Sequence, residues 1–416
     1  MREVYIEKLY VKNVRQFEEL EITFNKGFNF IAGPNGCGKT SILTCISHCF
    51  SYNNYEYSRF NEGNEFWLNL VNNEKKFKIG LGKNSVNKNK YRTSSVNLWN
   101  KPDVESGYTS LNTLEYKKHI GNYTSPLFIG SNRSIEYINS QGMVKEKNSV
   151  EKEKEYINKS LTNLYGVTKP NVKQWIINRY FIIEKNWALE EKTNWEHMIS
   201  NLPEIAPFNS NFSYLRTERD LEPIFSIYGK ECYLEELSSG FKAILSIIID
   251  IFEWIETTNE PGSKLVTEAA GTVLIDELDL HLHPEWQFTL RNGLEKIFPN
   301  LQFIATTHSP HLLASAKENE IIIMNKNSSD DNYNLSPTRK TFSGWNTDQI
   351  LSELMGVKSL ENKLYEKLIK KAFEKIENKQ INEFKEIVDE LELICHPNDS
   401  IITVFKTKLA SMEAKK

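Results

Sequence analysis

Over its first fifty residues the chain alternates apolar and polar side chains at 1–14 and again at 18–24, then runs unbroken and apolar over 28–32 before Gly33. Period-two alternation predicts strands buried on one face, and a short continuous apolar run bounded by glycine predicts a strand buried on both. Residues 40–50 carry a helical pattern, so the order is strand, strand, strand, loop, helix. The Tyr/Asn-rich stretch 51–65 reads as a loop, 66–82 as a hairpin turning at Asn72–Asn73, and 84–122 is polar and weakly patterned. Residues 126–130 form another apolar strand, followed by Ser131, Asn132 and Arg133.

The pattern changes at 145–209, which is Lys/Glu-rich, lacks glycine from 167 to 228 and has helix-like runs near 151–165 and 171–200. It reads as a helical insertion. Strand pattern returns at 221–236 with a turn at Gly229, and Gly240 opens a strongly apolar helix, AILSIIIDIFEWI. A polar loop (256–271) precedes two strands, 272–278 and 301–309, which flank a helix starting at Pro284, where proline suits the first turn. A further strand covers 320–324, and lysine- and glutamate-rich amphipathic helices fill 346–416. The expected organisation is 1–144 and 210–345 as two parts of one α/β unit, 145–209 inserted between them, and 346–416 as a helical tail for oligomer or partner contacts. There is no internal repeat and no coiled-coil arm.

Charge and cysteine usage narrow the function classes. Of 416 residues, 39% are hydrophobic and 25% charged, with a net charge of -4, so no global basic field exists and nucleic-acid contact needs a local patch. The basic stretch 75–92 is the candidate, with solvated loop charge as the alternative reading. No apolar run is long enough to span a membrane, and the first residues do not resemble a signal peptide. Five cysteines without a CxxC pair argue against a disulfide framework or zinc knuckle and point to the reducing cytoplasm.

Two segments carry the chemistry. Gly33-Pro34-Asn35-Gly36-Cys37-Gly38-Lys39-Thr40 fits GxxxxGK[ST] between a strand and a helix. Small residues let consecutive backbone N–H groups surround phosphates, and the helix N-terminus adds favourable partial charge. Lys39 is expected at the β- and γ-phosphates, Thr40 at Mg²⁺, and Ser41 in the first helical turn. The second segment, Val273-Leu274-Ile275-Asp276-Glu277, ends an apolar strand in two carboxylates. Asp276 is expected to act on Mg²⁺ through water and Glu277 to polarise the attacking water as general base. His308, ending the next strand, is placed to sense the γ-phosphate. His281 and His283 have the spacing of a metal pair but no third ligand nearby. Ser238, Ser239 and Gly240, before the apolar helix, form an anion site if they face another copy's nucleotide, and otherwise only a helix cap.

In this order the motifs resemble the ABC-type ATPase head of SMC, Rad50 and RecF proteins, a P-loop NTPase fold of α/β class. The resemblance implies that 33–40 is Walker A, 237–242 the signature, 273–277 Walker B, 282–284 the D-loop and His308 the switch histidine. It also implies a head-to-head dimer sandwiching two ATP molecules, with Ser238 and Gly240 of one subunit facing the γ-phosphate held by Lys39 of the other. More narrowly, ELDLHLHPEWQ, ATTHSPHLL, the segment 344–351 and the strand ending in GSNR are similar to bacterial anti-phage defence ATPases, namely the Septu subunit, retron-associated ATPases and the overcoming-lysogenization-defect group. In GSNR, Arg133 is expected near the nucleotide. Cys37, Ser239, Phe241 and His283 depart from the usual residues, and Gln141 is the nearest candidate for a Q-loop glutamine. The tail has no Toprim or HNH pattern. The resulting expectation is a cytoplasmic, Mg²⁺-dependent ATP-hydrolysing sensor and scaffold that controls a separate effector nuclease, with DNA as a further candidate partner. The alternative is a DNA repair ATPase of RecF/Rad50 type acting on DNA directly.

Overall fold

The structure, a computed structural model, describes residues 3–87, 92–93, 95–118, 126–167, 171–207, 209–324, 332–357, 363–396 and 399–414. The chain gathers into two compact units, Met1–Gly356 and Val357–Lys416.

The first unit is built on two large sheets. In one, β1 (Val4–Val14) pairs antiparallel with β2 (Phe17–Thr23) and with β4 (Phe60–Asn72), and β4 turns at Asn73 into β5 (Lys75–Leu81). β6 (Thr109–Asn112) extends the β5 edge and β14 (Asn332–Leu335) the β2 edge, both parallel. The other sheet is wholly parallel. Its order is β13 (Ile321–Ile323), β3 (Phe28–Ala32), β12 (Leu301–Thr306), β11 (Gly271–Ile275) and β7 (Leu127–Ile129). Every residue of β3, β11 and β12 is buried, as their unbroken apolar runs require.

Alternate positions of these strands serve two cores. Ile31, Leu274, Ile304 and Ile322 face α1 (Lys39–Phe50) and the six-stranded sheet. Phe30, Val273, Ile275 and Phe303 face a helical core. That core is made from α5 (Val172–Ile182), α6 (Leu189–Ile205), α7 (Ser239–Thr258) and α8 (Pro284–Ile297). One buried polar residue joins the sheets: the Gln302 side-chain amide accepts from Ile6 N and donates to Ile6 O, both at 2.8 Å. A buried side chain that pairs with both backbone groups of a strand residue leaves neither unsatisfied.

Several elements differ from expectation. Residues 51–65 are not one loop: after a turn of 3₁₀ helix (Tyr52–Tyr57), β4 starts at Phe60. The weakly patterned 84–122 contains β6 and α2 (Thr113–Lys118). The helical insertion is present as α3 (Ser149–Asn158), α4 (Ser160–Leu164), α5 and α6, but Trp175, Trp195 and Leu202 share their core with α7. β8 (Ser213–Thr217), β9 (Pro223–Ile227) and β10 (Lys230–Tyr233) form a small antiparallel sheet. After α9 (Pro310–Ser315), the single turn α10 (Thr347–Gln349) continues into a π turn whose Ile350 and Leu354 are buried in the helical core. For that reason the compact units divide at Gly356, beyond the expected 346. The second unit holds α11 (Lys363–Glu377), α12 (Ile381–Ile394) and α13 (Ser400–Glu413) around Leu368, Ala372, Phe384, Val388 and Phe405.

Candidate functional site

The loop between β3 and α1 borders an open cleft of about 830 Å³. Asn35, Gly36, Gly38, Lys39, Thr40 and Ser41 form one wall, and Glu277, Asp279, Leu280 and His308 another. Gly38 has φ +107°, a backbone conformation that demands glycine, and the tip of the Gln16 side chain lies over it. No side chain caps α1 at Gly38, so its first-turn N–H groups remain available to an anion. Lys39 folds back, its ammonium donating to Gly33 O at 2.8 Å and Pro34 O at 3.0 Å. Burial pulls the Lys39 ammonium below the usual lysine value, while Cys37, Asp276, Asp279 and Glu277 act in the other direction.

Two expected loop residues stand outside the cleft wall. Gly33 packs against Met324, and Cys37 turns its thiol inward, 3.8 Å from Met324 Sδ. Cys37 therefore presents no side chain to the cleft wall.

The acidic strand meets this loop through hydroxyls. Thr40 Oγ1 lies 3.0 Å from both Asp276 carboxylate oxygens. Thr306 Oγ1 donates to Asp276 Oδ1 at 2.6 Å and accepts from Glu277 N at 2.7 Å. A threonine hydroxyl facing a carboxylate beside a phosphate loop is an all-oxygen donor set, the kind a hard divalent cation takes while keeping several waters. Glu277 itself sits at φ +50°, a conformation that costs a non-glycine residue about 1–3 kcal/mol. Its surroundings over-determine it. Leu278 N donates to Thr306 O at 3.0 Å, and Arg133 donates to Asp276 O at 2.5 Å, to Gly130 O at 3.1 Å and to Leu278 O at 3.4 Å. Arg133 is thus not at the nucleotide face. It is buried behind the strand and clamps the carbonyls on either side of Glu277. Burial brings its guanidinium down to about 10, against the pull of Asp276, Asp279 and Glu277, and it stays charged at neutral pH.

Asp279 completes the edge by accepting from Thr307 Oγ1 at 2.7 Å and from His308 N at 3.0 Å, which orients the histidine into the cleft. Burial, then the Lys39 charge, lower the His308 pKa, while Asp279, Glu277 and Asp276 oppose them. The ring is therefore neutral at neutral pH.

Ser238, Ser239 and Gly240 are not brought to this loop. They line a separate hollow with Tyr228, His281 and His283. Ser238 is the N-cap of α7 yet makes no capping bond with its side chain. His283 caps α8, its Nδ1 accepting from Glu285 N at 3.5 Å. The loop 277–283 separates the two hollows, giving Glu277 to one and His283 to the other. At Gly240 a Cβ would lie 2.1 Å from Trp286 Cζ3, whose ring packs edge-on against Phe241 at 4.7 Å. Gly240→Ala is expected to lower stability by about 1–3 kcal/mol through this collision, measurable in urea unfolding; an unchanged midpoint would show that Trp286 yields freely.

Gln141 is exposed and lies outside the cleft wall, whereas Gln16, which sequence reasoning missed, lies on Gly38 and lines it. Two lysines of the basic stretch 75–92 have partners within the fold. Lys76 pairs with Glu7 at 3.4 Å, and Lys78 sits 3.8 Å over the Trp67 ring, 3.6 Å from Glu105. Residues 88–91 lie outside the described residues.

A parallel sheet carrying a phosphate loop, an acidic pair and a strand-end histidine, with a signature segment opening a separate helix, defines an ABC-type ATPase. Residues 28–314 match the family described as "AAA domain, putative AbiEii toxin, Type IV TA system", and the chain belongs to that family. The Septu protein PtuA of Bacillus thuringiensis is 28% identical over 412 residues, 97% of this chain and 98% of that protein. The retron Ec83 probable ATPase of Escherichia coli is 43% identical over 106 residues, 25% of this chain and 19% of that protein. The SMC head domain from Thermotoga maritima superposes loosely, with a TM-score of 0.40 and 14% identity over 80% of this chain and 99% of that one.

Proposed function

We propose that this ATPase works as the sensor and scaffold of an anti-phage defence complex, in which ATP-sandwiched head dimers control a separate effector nuclease. The observation that carries the reading is the division of the site into two hollows, each of which has half of what ATP turnover needs. One holds Lys39, Thr40, Glu277 and His308; the other holds Ser238 and Gly240 at a helix N-terminus whose cap hydroxyl is uncommitted. A second copy of the chain, turned head to head, joins the halves twice. Thr40, and Asp276 through water, would hold a Mg²⁺ ion, which would supply positive charge against the β- and γ-phosphates. Lys39 binds those phosphates, Glu277 accepts a hydrogen bond and then the proton from the attacking water, and neutral His308 donates to the γ-phosphate. Loss of that phosphate removes contacts that favour the closed dimer, so nucleotide state becomes assembly state. The likeness to a Septu protein along nearly the whole of both chains supports the defence context.

Mixing two inactive variants tests the composite site. Lys39→Ala and Ser238→Arg are each expected to abolish turnover. In a mixed dimer one site carries both lesions and the other none, so a one-to-one mixture is expected to recover up to about a quarter of wild-type activity. No recovery, with exchange of subunits verified by mass, would mean that each chain completes its own site.

A further inference from the structure

A second cavity, of about 200 Å³, lies where α3, α4 and α7 meet the end of β7, outside the ATP cleft. Its origin is visible in α7. This helix is apolar almost throughout, but Ser246, Asp250 and Glu253 interrupt it at spacings of four and three, which places them on one stripe. That stripe lines the cavity.

The charged groups at the wall are mostly spoken for. Glu253 pairs with Lys152 at 2.7 Å, and Glu155 with Lys147 at 2.8 Å and with Lys159. Arg133 spends its guanidinium on the carbonyls of Gly130, Asp276 and Leu278. Ser246 and Asp250 are different. Ser246 is only 1% exposed, and neither it nor Asp250 has a hydrogen-bond or ion-pair partner among the described residues. Both groups face the cavity with hydrogen-bonding capacity unused, so a ligand that offers donors there gains interactions without breaking any in the fold. Burial, reinforced by Glu253 and offset by Lys152, pushes the Asp250 carboxyl up to about 8.

We infer that this cavity binds a small organic molecule through an ammonium group seated between the Asp250 carboxylate and the Ser246 hydroxyl. An ammonium offers a compact positive charge and three N–H donors, which matches one free carboxylate and neighbouring neutral acceptors. A divalent metal ion fits less well, because it wants six or more oxygen ligands, and the described residues contain no group of three or more His, Cys, Asp or Glu able to hold one. Arg133 lines this cavity and clamps the backbone around Glu277. Occupancy is therefore coupled to the acidic strand, and a bound amine alters kcat more than the KM for ATP.

The test is calorimetric titration of the full chain with ethylammonium and with 1,4-diaminobutane at constant ionic strength. Tetramethylammonium, which has the charge without donors, and potassium serve as comparisons. Saturable binding of an amine, weakened about tenfold or more in Asp250→Asn and several-fold in Ser246→Ala, is the expected result. Asp250→Asn removes no partnered group, so its thermal midpoint should stay near that of the wild type and report a folded protein. No saturable amine binding, equal binding by Asp250→Asn, or equal binding of tetramethylammonium or potassium overturns the assignment. Amine binding that leaves kcat unchanged overturns its coupling to the acidic strand.

Discussion

Glu277→Gln abolishes turnover while leaving nucleotide in place. The expected fall in kcat is about 10²- to 10⁴-fold, the range for removing a general base. The substitution is nearly isosteric. The contacts that fix this position, from Glu277 N to Thr306 Oγ1 and from Arg133 to the carbonyls of Asp276 and Leu278, all involve backbone atoms. The unusual backbone at φ +50° therefore survives, and only the carboxylate's basicity is lost. Phosphate release measures the turnover, and light scattering with Mg²⁺ and ATP measures the mass. A variant that hydrolyses ATP within a few-fold of wild type would falsify the role given to Glu277. A variant that is dead but never larger with ATP than without would leave the base and remove the sandwich.

Lys39→Ala acts one step earlier, on binding. The ammonium is buried between the carbonyls of Gly33 and Pro34 in the floor of the cleft. A hydrogen bond involving a charged group contributes about 1.5–3 kcal/mol, so ATP affinity should drop by about 10- to 150-fold. The fold should tolerate the change, because burial already disfavours the charged ammonium and its removal relieves that cost. Titration with a fluorescent ATP analogue, beside a thermal melt, separates the two effects. Wild-type affinity would sink the assignment of the phosphate loop, and a collapsed melting point would show Lys39 to be structural.

What could be read in advance follows from how locally each feature is encoded. The phosphate loop and the acidic pair were legible because each is a continuous run whose residue types are fixed by its own backbone chemistry. The strands β3, β11 and β12 were legible because burial on both faces leaves no polar position to blur them. Thr306 and Arg133 were not legible as partners of the acidic strand: they lie 30 and 143 residues from Asp276, and nothing local marks the meeting. Gln16 reaches the loop only because the β1–β2 turn carries it onto Gly38. Strands β6, β8 and β14 have four or five residues each and are only partly buried, too short for an alternation to declare itself. Ser246 and Asp250 went unremarked within a helix read as apolar throughout, and only the fold shows that they share a cavity.

The place of β3 in the parallel sheet has a bearing on how this protein is made. Its neighbours on either side are β12, at 301–306, and β13, at 321–323. On a ribosome, the strand that leads into the phosphate loop therefore waits unpaired while nearly three hundred further residues are synthesised. At about 5–20 residues per second that delay lasts on the order of 15–60 seconds, during which an apolar strand with two open edges is exposed to aggregation. Because the loop takes its shape only when β3 is flanked, a truncated nascent chain cannot mimic the finished ATPase. The first of its functional segments to be translated is among the last to become competent, so nucleotide binding itself certifies that the ATPase unit has been completed.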